Sequence, residues 1–199
     1  MTRLRHYLLI ATLTVMAGCA GPVRAPFEAS EEEKSLPAAP SGPLTSLEQR
    51  IQTRVGTPDT IDKSGAISGF KLLDRSEDAL RWRLALIDAA TQSIDTQYYL
   101  YHGDSTGMIL TSRLLAAADR GVRVRVLIDD MGTLALSPSQ KKLRDSMGAL
   151  MIAHPNISFR LFNSSKNRSA LGRGWDFATD FEQLNHRMHN KSLTVDNRA

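Results

Sequence analysis

From Gly69 to Val195 the apolar residues switch repeatedly between strand spacing and helix spacing, and this alternation limits the fold more than any other feature. A two-residue period predicts a strand with two different faces, whereas a 3.6-residue period predicts an amphipathic helix. Strand spacing occurs in four segments, 93–101, 122–128, 157–162 and 187–195. Because helical segments beginning at Ser76, Thr106 and Pro138 alternate with them, the sequence predicts an α/β domain with a mixed or parallel sheet.

Capping residues set the expected ends of these helices. Ser76 precedes two acids and is expected to cap the first helix, and Gly121 is expected to end the second. Pro138 suits the first position of the third helix, which we expect to end near Gly148. Residues 163–186 mix glycine, aromatic and polar residues, and we expect a loop there.

The segment 189–196, His-Asn-Lys-Ser-Leu-Thr-Val-Asp, carries the clearest chemistry. On a strand, His189 and Lys191 leave from the same face because they are two residues apart. An imidazole beside an ammonium suits a bound phosphate. The lysine would neutralise oxygens, and the histidine would attack phosphorus or move a proton.

Asp196 has the wrong parity to join these two residues on a straight strand. It falls in a predicted turn, where its carboxylate has two possible roles. It would either orient an imidazole or hold the turn through a bond to the backbone.

Two other groups of residues resemble metal ligands. Asp129-Asp130 follows a strand and would either bind Mg²⁺ with a phosphate or cap a turn. His186 and His189 lie three residues apart, which places them on opposite faces of a strand. We therefore expect no metal site and no cofactor.

The first 18 residues have the character of a bacterial signal peptide, with Arg3 and Arg5 before an apolar run. Met16-Ala17-Gly18-Cys19 resembles the lipobox of bacterial lipoproteins, which implies lipidation of Cys19. This predicts a protein anchored in the bacterial cell envelope and facing the periplasm. Ala20 rather than aspartate follows the cysteine, which favours the outer membrane.

Composition completes the expected organisation. Residues 19–44 are rich in Ala, Pro, Ser and Glu and predict a flexible tether, with one domain at 45–199. Cys19 is the single cysteine, which excludes an intramolecular disulfide and a cysteine zinc site. The net charge of +4 falls to +2 without residues 1–18, so overall charge gives little support for a nucleic-acid partner.

His189, Lys191 and Asp196 match the HxKxxxxD signature of the phospholipase D superfamily. The resemblance extends over about 69–199, including Ser93–Tyr99, Asp104–Gly107, Leu114–Asp130, His154-Pro155 and Arg160–Asn163. The stretch Leu184–Ser192 is similar to the C-type bacterial cardiolipin synthases. The resemblance implies a phospholipase D-like mixed sheet flanked by helices, with His189, Lys191 and Asp196 as catalytic residues.

The resemblance also implies a metal-independent phosphodiester transfer through a phosphohistidine. The expected substrate is a phospholipid such as phosphatidylglycerol, and the expected product is cardiolipin. Such enzymes combine two HxKxxxxD motifs, and this sequence holds one, so we expect the N-terminal half of an enzyme, truncated after its first motif. The second motif would come from a missing C-terminal half or from a homodimer.

Two alternatives remain open at this point. One is a nuclease that completes its site by pairing two copies of a single motif. The other is an inactive fragment anchored to a membrane. We expect the 199-residue chain to have little or no cardiolipin synthase activity as a monomer.

Overall fold

The computed structural model describes residues 30, 34–55, 69–130, 138–164, 169–179 and 186–199. The chain divides into two compact units, Met1–Lys34 and Ser35–Ala199. The first unit contains only two described residues, Ser30 and Lys34. The expected signal peptide, Cys19 and most of the expected tether lie outside the described residues.

Five helices and four strands follow one another in the described part of the second unit. The helices are α1 (Pro43–Val55), α2 (Ser76–Ala89), α3 (Ser105–Asp119), α4 (Pro138–Ala153) and α5 (Ala170–Thr179). The strands are β1 (Ser93–Tyr98), β2 (Arg123–Asp129), β3 (Ile157–Phe162) and β4 (Lys191–Val195). The four predicted strand segments are therefore confirmed in place, although β1 and β4 are shorter than expected.

The strands form one mixed sheet in the order β3-β2-β1-β4. Strands β1, β2 and β3 are parallel, and β4 runs antiparallel to β1. The carboxyl ends of β1, β2 and β3 and the beginning of β4 therefore meet at one edge, which we call the carboxyl edge. The predicted α/β fold with a mixed sheet and flanking helices is confirmed.

The core lies on one face of this sheet. Ile94, Val124 and Ile157 are buried there in adjacent strands, together with residues of α2, α3 and α4 such as Leu114 and Met151. Each of these apolar side chains contributes about 1.5–3 kcal/mol by leaving water. The other face carries polar residues that include the ion pair between Arg125 and Asp95. The two-residue burial pattern thus follows directly from the alternation in the sequence.

Two expectations about the ends of helices and one about a loop are wrong. Helix α4 continues past Gly148 to Ala153 because Met151 packs into the core, which offsets the cost of a glycine in a helix. The predicted loop contains α5. The residue before α2 is Arg75, and it makes no side-chain cap, so Ser76 is the first helical residue instead of its cap.

The end of the predicted tether, from residue 35, lies against the sheet domain. Ala39 is buried; its backbone N–H donates to the Asp196 carbonyl (2.9 Å), and its carbonyl accepts from Arg198 (2.8 Å). Helix α1 follows and is tied to the same end of the chain by the ion pair of Glu48 with Arg198. These contacts satisfy backbone hydrogen-bonding groups of the turn after β4. The composition of residues 19–44 could not indicate this packing.

Among the described residues, no helix combines the length and the apolar character needed to cross a membrane.

Candidate active site

His189 and Lys191 lie together at the carboxyl edge, and both are exposed. The distance from Lys191 Nζ to His189 Nε2 is 2.9 Å. The predicted strand from residue 187 begins only at Lys191, so His189 precedes β4 and does not share a strand face with Lys191. The two side chains nevertheless meet, as the motif predicted.

The contact between them restricts the protonation of His189. A lysine ammonium can only donate hydrogen bonds, and a neutral imidazole has one accepting nitrogen. A hydrogen bond from Lys191 therefore requires Nε2 to carry a free lone pair. A phosphate oxygen that accepted this hydrogen bond from Lys191 in its place would free the Nε2 lone pair for attack on phosphorus.

Tyr99 forms a wall beside both residues. Its ring lies edge-on to the His189 ring, with 4.9 Å between centroids, and Lys191 Nζ lies 5.3 Å from its centroid. Its backbone N–H also donates to the Asn190 carbonyl (3.0 Å). The sequence analysis gave Tyr99 no role at the site, and its position directly after β1 was the available signal.

Side chains from the ends of three strands hold the segment 186–190, which has no regular secondary structure. Asn163, after β3, donates to the His186 carbonyl (2.7 Å). Gln97, near the end of β1, accepts from the Asn190 amide (2.8 Å). The third anchor is a carboxylate at the end of β2.

That carboxylate belongs to Asp129, which is fully buried. It accepts from the Met188 backbone N–H (2.9 Å) and pairs with the Arg187 guanidinium (3.2 Å). Both carboxylate oxygens of Asp129 therefore contact donors from the chain itself. Because Met188 directly precedes His189, Asp129 fixes the backbone from which the imidazole projects.

Asp196 lies at the other end of β4 and is buried, with 1% of its surface exposed. Its carboxylate accepts from the backbone N–H groups of Thr91 (3.0 Å), Gln92 (2.7 Å) and Ser93 (3.0 Å), and from the Thr91 hydroxyl (2.8 Å). These are the groups of the turn between α2 and β1. Of the two roles considered for Asp196, the geometry supports holding a turn through the backbone.

Two opposing effects act on the pKa of Asp196. Burial alone would raise this pKa, but hydrogen bonds from Ser93, Gln92 and Thr91 favour the charged form, and the net pKa lies below its ordinary value. The five residue steps from Lys191 to Asp196 span roughly 16 Å along a strand. Asp196 therefore lies too far along β4 to orient the His189 imidazole of the same motif. Its place among the catalytic residues stays a prediction.

The other described histidines divide between the two edges of the sheet. His154 precedes β3 at the opposite edge, where Nε2 lies 3.1 Å from Asp119. His102, which follows β1, and His186, whose carbonyl accepts from Asn163, lie at the carboxyl edge. No cluster of three or more His, Cys, Asp or Glu side chains suited to a metal ion occurs within the described ranges.

Comparison with known proteins shows which family and which proteins this chain resembles. Residues 84–199 match the family described as cardiolipin synthase, phospholipase D-like domain. The chain is 46% identical over 128 residues to cardiolipin synthase C of Escherichia coli strain K12, covering 64% of this chain and 25% of that protein. It is 36% identical over 80 residues to the major cardiolipin synthase ClsA of Bacillus subtilis strain 168, covering 40% and 17%.

The chain spans about a quarter of the length of the most similar of these curated relatives. Among solved structures it is similar to Nuc of Salmonella typhimurium, a phospholipase D family member, at 24% identity and a TM-score of 0.36, covering 59% of this chain and 57% of that one. It is also similar to NucT of Helicobacter pylori, at 17% identity and a TM-score of 0.38, covering 61% and 62%.

Proposed function

Because the chain belongs to the family of cardiolipin synthase, phospholipase D-like domains, we propose that it transfers a phosphodiester through a covalent bond to His189. The observation that supports this most directly is the 2.9 Å contact between Lys191 Nζ and His189 Nε2 at an exposed position. A phosphate between these two groups would meet a nucleophile and a cation at once. Proximity of this kind accounts for much of enzymatic rate enhancement.

In the proposed first step, His189 Nε2 forms a bond to phosphorus and the bond to the leaving alcohol breaks. The departing oxygen needs a proton, which a second imidazole on the far side of phosphorus would supply. In the second step that imidazole accepts the proton of an incoming alcohol or water. The new P–O bond then forms as the bond to His189 breaks.

A phospholipid such as phosphatidylglycerol is the proposed substrate, and cardiolipin is the proposed product. The names of the relatives support this substrate class. Because the chain covers about a quarter of those relatives, we propose that the second imidazole comes from another HxKxxxxD motif. That motif would belong to a further domain or to a second copy of this chain.

We also propose that Cys19 carries a lipid anchor and that the domain faces the periplasm. Several acyl chains would hold the site at the membrane that contains its substrate. Labelling of cells with a palmitate analogue is the test. Equal labelling of the natural chain and of Cys19→Ser would contradict the anchor.

The first half-reaction can be tested without a second imidazole. Bis(p-nitrophenyl) phosphate releases p-nitrophenolate, which leaves as a stable anion and needs no proton. We expect the 199-residue chain, in the presence of EDTA, to acquire an acid-labile adduct that mass spectrometry locates on His189. His154→Gln is the matched control, since His154 lies at the opposite edge, and it should be labelled like the parent chain.

Absence of the adduct in the parent chain, or its persistence in His189→Gln, would contradict the proposal. A loss in EDTA that Mg²⁺ restores would favour metal binding at Asp129-Asp130. Substrate class is decided by comparing phosphatidylglycerol vesicles with DNA. DNA hydrolysis that depends on His189, with no cardiolipin formed, would favour the nuclease alternative.

A further inference from the structure

Helix α5 exposes its apolar side chains and buries a charged one. Leu171 and Trp175 are 90% and 69% exposed, whereas Asp176, the residue after Trp175, is 5% exposed. A helix at the surface of a folded domain normally turns its apolar side chains to the core and its charged side chains to water. The exposed side of α5 therefore indicates a partner that accepts apolar groups.

The exposed residues of α5 share one face. Leu171, Trp175 and the exposed Ala178 follow one another at steps of four and three residues, the spacing that aligns side chains along a helix. We call these three residues the α5 stripe. Asp176 is five residues from Leu171 and projects from another side of the helix. The α5 stripe is thus one continuous surface rather than a set of scattered apolar residues.

The connection that contains α5 starts and ends at the carboxyl edge. It begins with Asn163, after β3, and returns at His186, and the Asn163 amide donates to the His186 carbonyl (2.7 Å). Seven residue steps lead from Asn163 to α5, and seven lead from α5 to His186. The covalent chain therefore keeps each end of α5 within about 25 Å of these two residues. A surface bound to the α5 stripe would lie near the edge that carries the candidate active site.

The sequence around the start of α5 is basic. Residues 160–173 contain no acidic residue and four basic ones, Arg160, Lys166, Arg168 and Arg173. The next acid along the chain is Asp176, which is buried. Basic residues close to an exposed leucine and tryptophan are typical of helices that bind the interface of anionic membranes. This charge complements a lipid surface that carries phosphate head groups.

The size of the α5 stripe argues for a lipid surface rather than a protein partner. A stable protein–protein interface takes about 20–30 residues from each side, far more than this stripe supplies. A bilayer needs no matching side chains, and tryptophan prefers the boundary between head groups and acyl chains. A weak contact suffices for a chain with the proposed anchor, because the anchor raises the local concentration of lipid.

We propose that the α5 stripe docks on an anionic lipid surface, with Leu171 and Trp175 at the boundary of the head groups. The inference goes beyond the proposed function by adding a second membrane contact, and it rests on that function only for the origin of the substrate. Docking holds the carboxyl edge close to the bilayer that contains the phospholipid.

The test follows the fluorescence of Trp175 in Trp82→Phe, where Trp175 is the single tryptophan. The full chain is reconstituted with vesicles of phosphatidylcholine, alone or mixed with an equal amount of phosphatidylglycerol, so the amino-terminal segment is present in both arms. Part of the phosphatidylcholine is brominated and quenches a tryptophan at the head-group boundary. With phosphatidylglycerol, we expect Trp175 emission to shift to shorter wavelength and to be quenched. Salt at about 1 M, which shortens the Debye length to about 3 Å, should weaken both effects.

Leu171→Ala removes most of one apolar side chain and keeps a strong helix former in α5. The ratio of docked to undocked chain, taken from the quenched fraction, should fall about tenfold, the effect of losing the burial of one leucine side chain. Leu150→Ala is the matched control, since Leu150 is 59% exposed on α4, and it should keep the parent ratio. Trp175→Phe, in which Trp82 on α2 is the reporter, should show neither quenching nor a shift.

Unchanged Trp175 emission with phosphatidylglycerol, equal quenching of Trp82, or an unchanged ratio in Leu171→Ala would overturn the inference. Equal quenching in vesicles of phosphatidylcholine alone would exclude the anionic surface and would also overturn it. A shift that appears without vesicles and grows with chain concentration would assign the stripe to a second copy instead. Adduct formation with soluble bis(p-nitrophenyl) phosphate should be equal in Leu171→Ala and the parent chain. If no adduct forms at all, the proposed function fails, and the fluorescence still decides whether α5 docks.

Discussion

The two ends of β4 differ in exposure and in bonding, although both belong to one eight-residue motif. At its beginning, Lys191 and the preceding His189 are exposed and contact each other and Tyr99. At its end, Val195 and Asp196 are buried, and the Asp196 carboxylate is saturated by donors from the turn at residues 91–93. The motif therefore combines an exposed end, where we propose that the chemistry takes place and which we call the reactive end, with a buried structural end.

This difference means that chemistry and stability should respond to different substitutions. Substitutions of exposed side chains usually change the free energy of unfolding by less than about 0.5 kcal/mol. A buried donor left without its acceptor costs about 1–3 kcal/mol, so removal of a carboxylate that accepts several such bonds takes away a large part of the stability of a typical domain. The expected effects follow in decreasing order of free energy.

The largest expected effect is that of His189→Gln on chemistry. Glutamine cannot replace the nucleophile, so adduct formation with bis(p-nitrophenyl) phosphate should fall by about 10⁴-fold or more. The melting temperature should stay at the parent value because His189 is exposed. If His189→Gln melted at a lower temperature and lost adduct only in proportion to its unfolded fraction, His189 would act through stability. The two ends of β4 would then not differ in role.

Asp196→Ala should act on stability instead. Three backbone N–H groups and the Thr91 hydroxyl would lose their acceptor, and the free energy of unfolding should fall by about 3 kcal/mol or more. Urea denaturation followed by circular dichroism measures this. Asp88→Asn is the matched control because Asp88 pairs with Arg113 at the surface, and it should cost less than about 1 kcal/mol. If both variants lowered the free energy of unfolding by the same amount, burial of Asp196 would not explain its contribution to stability.

Lys191→Ala removes the cation from the reactive end. Adduct formation should slow by about 10²-fold, the scale of losing one well-placed electrostatic stabiliser. Stability should change little. Stopped-flow absorbance of p-nitrophenolate gives the rate, and a rate equal to that of the parent chain would exclude Lys191 from phosphate binding.

Asp129→Asn should loosen the reactive end indirectly. The asparagine keeps the shape of the side chain but weakens its bonds to Arg187 and Met188, and adduct formation should slow by roughly tenfold. As control, Asp95→Asn alters the ion pair with Arg125, which lies away from the carboxyl edge. If both variants formed the adduct at the same rate, Asp129 would not position His189.

The smallest expected effect concerns pH. The pKa of Asp196 is lower in the folded chain than in the unfolded chain. Its stabilising contribution is therefore complete above the unfolded pKa, near 4, and is lost as the pH falls through the lower folded value. Urea midpoints measured between neutral pH and pH 3 should fall less steeply for Asp196→Asn than for the parent chain. Parallel curves would remove Asp196 from the acid response.

Much of the fold could be predicted because its signals are local. The alternation of Val122, Val124 and Val126 with polar residues predicted β2, and Gly121, with a φ of 91°, ends the preceding helix as expected. The resemblance to the phospholipase D superfamily is confirmed by the family match over residues 84–199. These features depend on residues close together in the sequence, so they can be predicted from one sequence alone.

Features that depend on distant contacts could not be predicted. Arg187 and Asp129 are 58 residues apart, and the sequence gives no sign of their contact. Arg187 makes this contact where the sequence predicts the start of a strand, and β4 begins only at Lys191. Asp196 likewise meets donors more than 100 residues away. Helix α5 was missed because this short segment contains Gly172 and Gly174, and glycines so close together favour a loop.

The most direct test of the divided motif is the yield of His189 adduct per folded molecule in Asp196→Asn. The measurement is made with bis(p-nitrophenyl) phosphate at a temperature where circular dichroism shows that part of the variant is folded. We expect the same yield per folded molecule as in the parent chain, because Asp196 acts through stability. A fully folded Asp196→Asn chain that forms as little adduct as His189→Gln would show that Asp196 takes part in the chemistry, and would contradict the account.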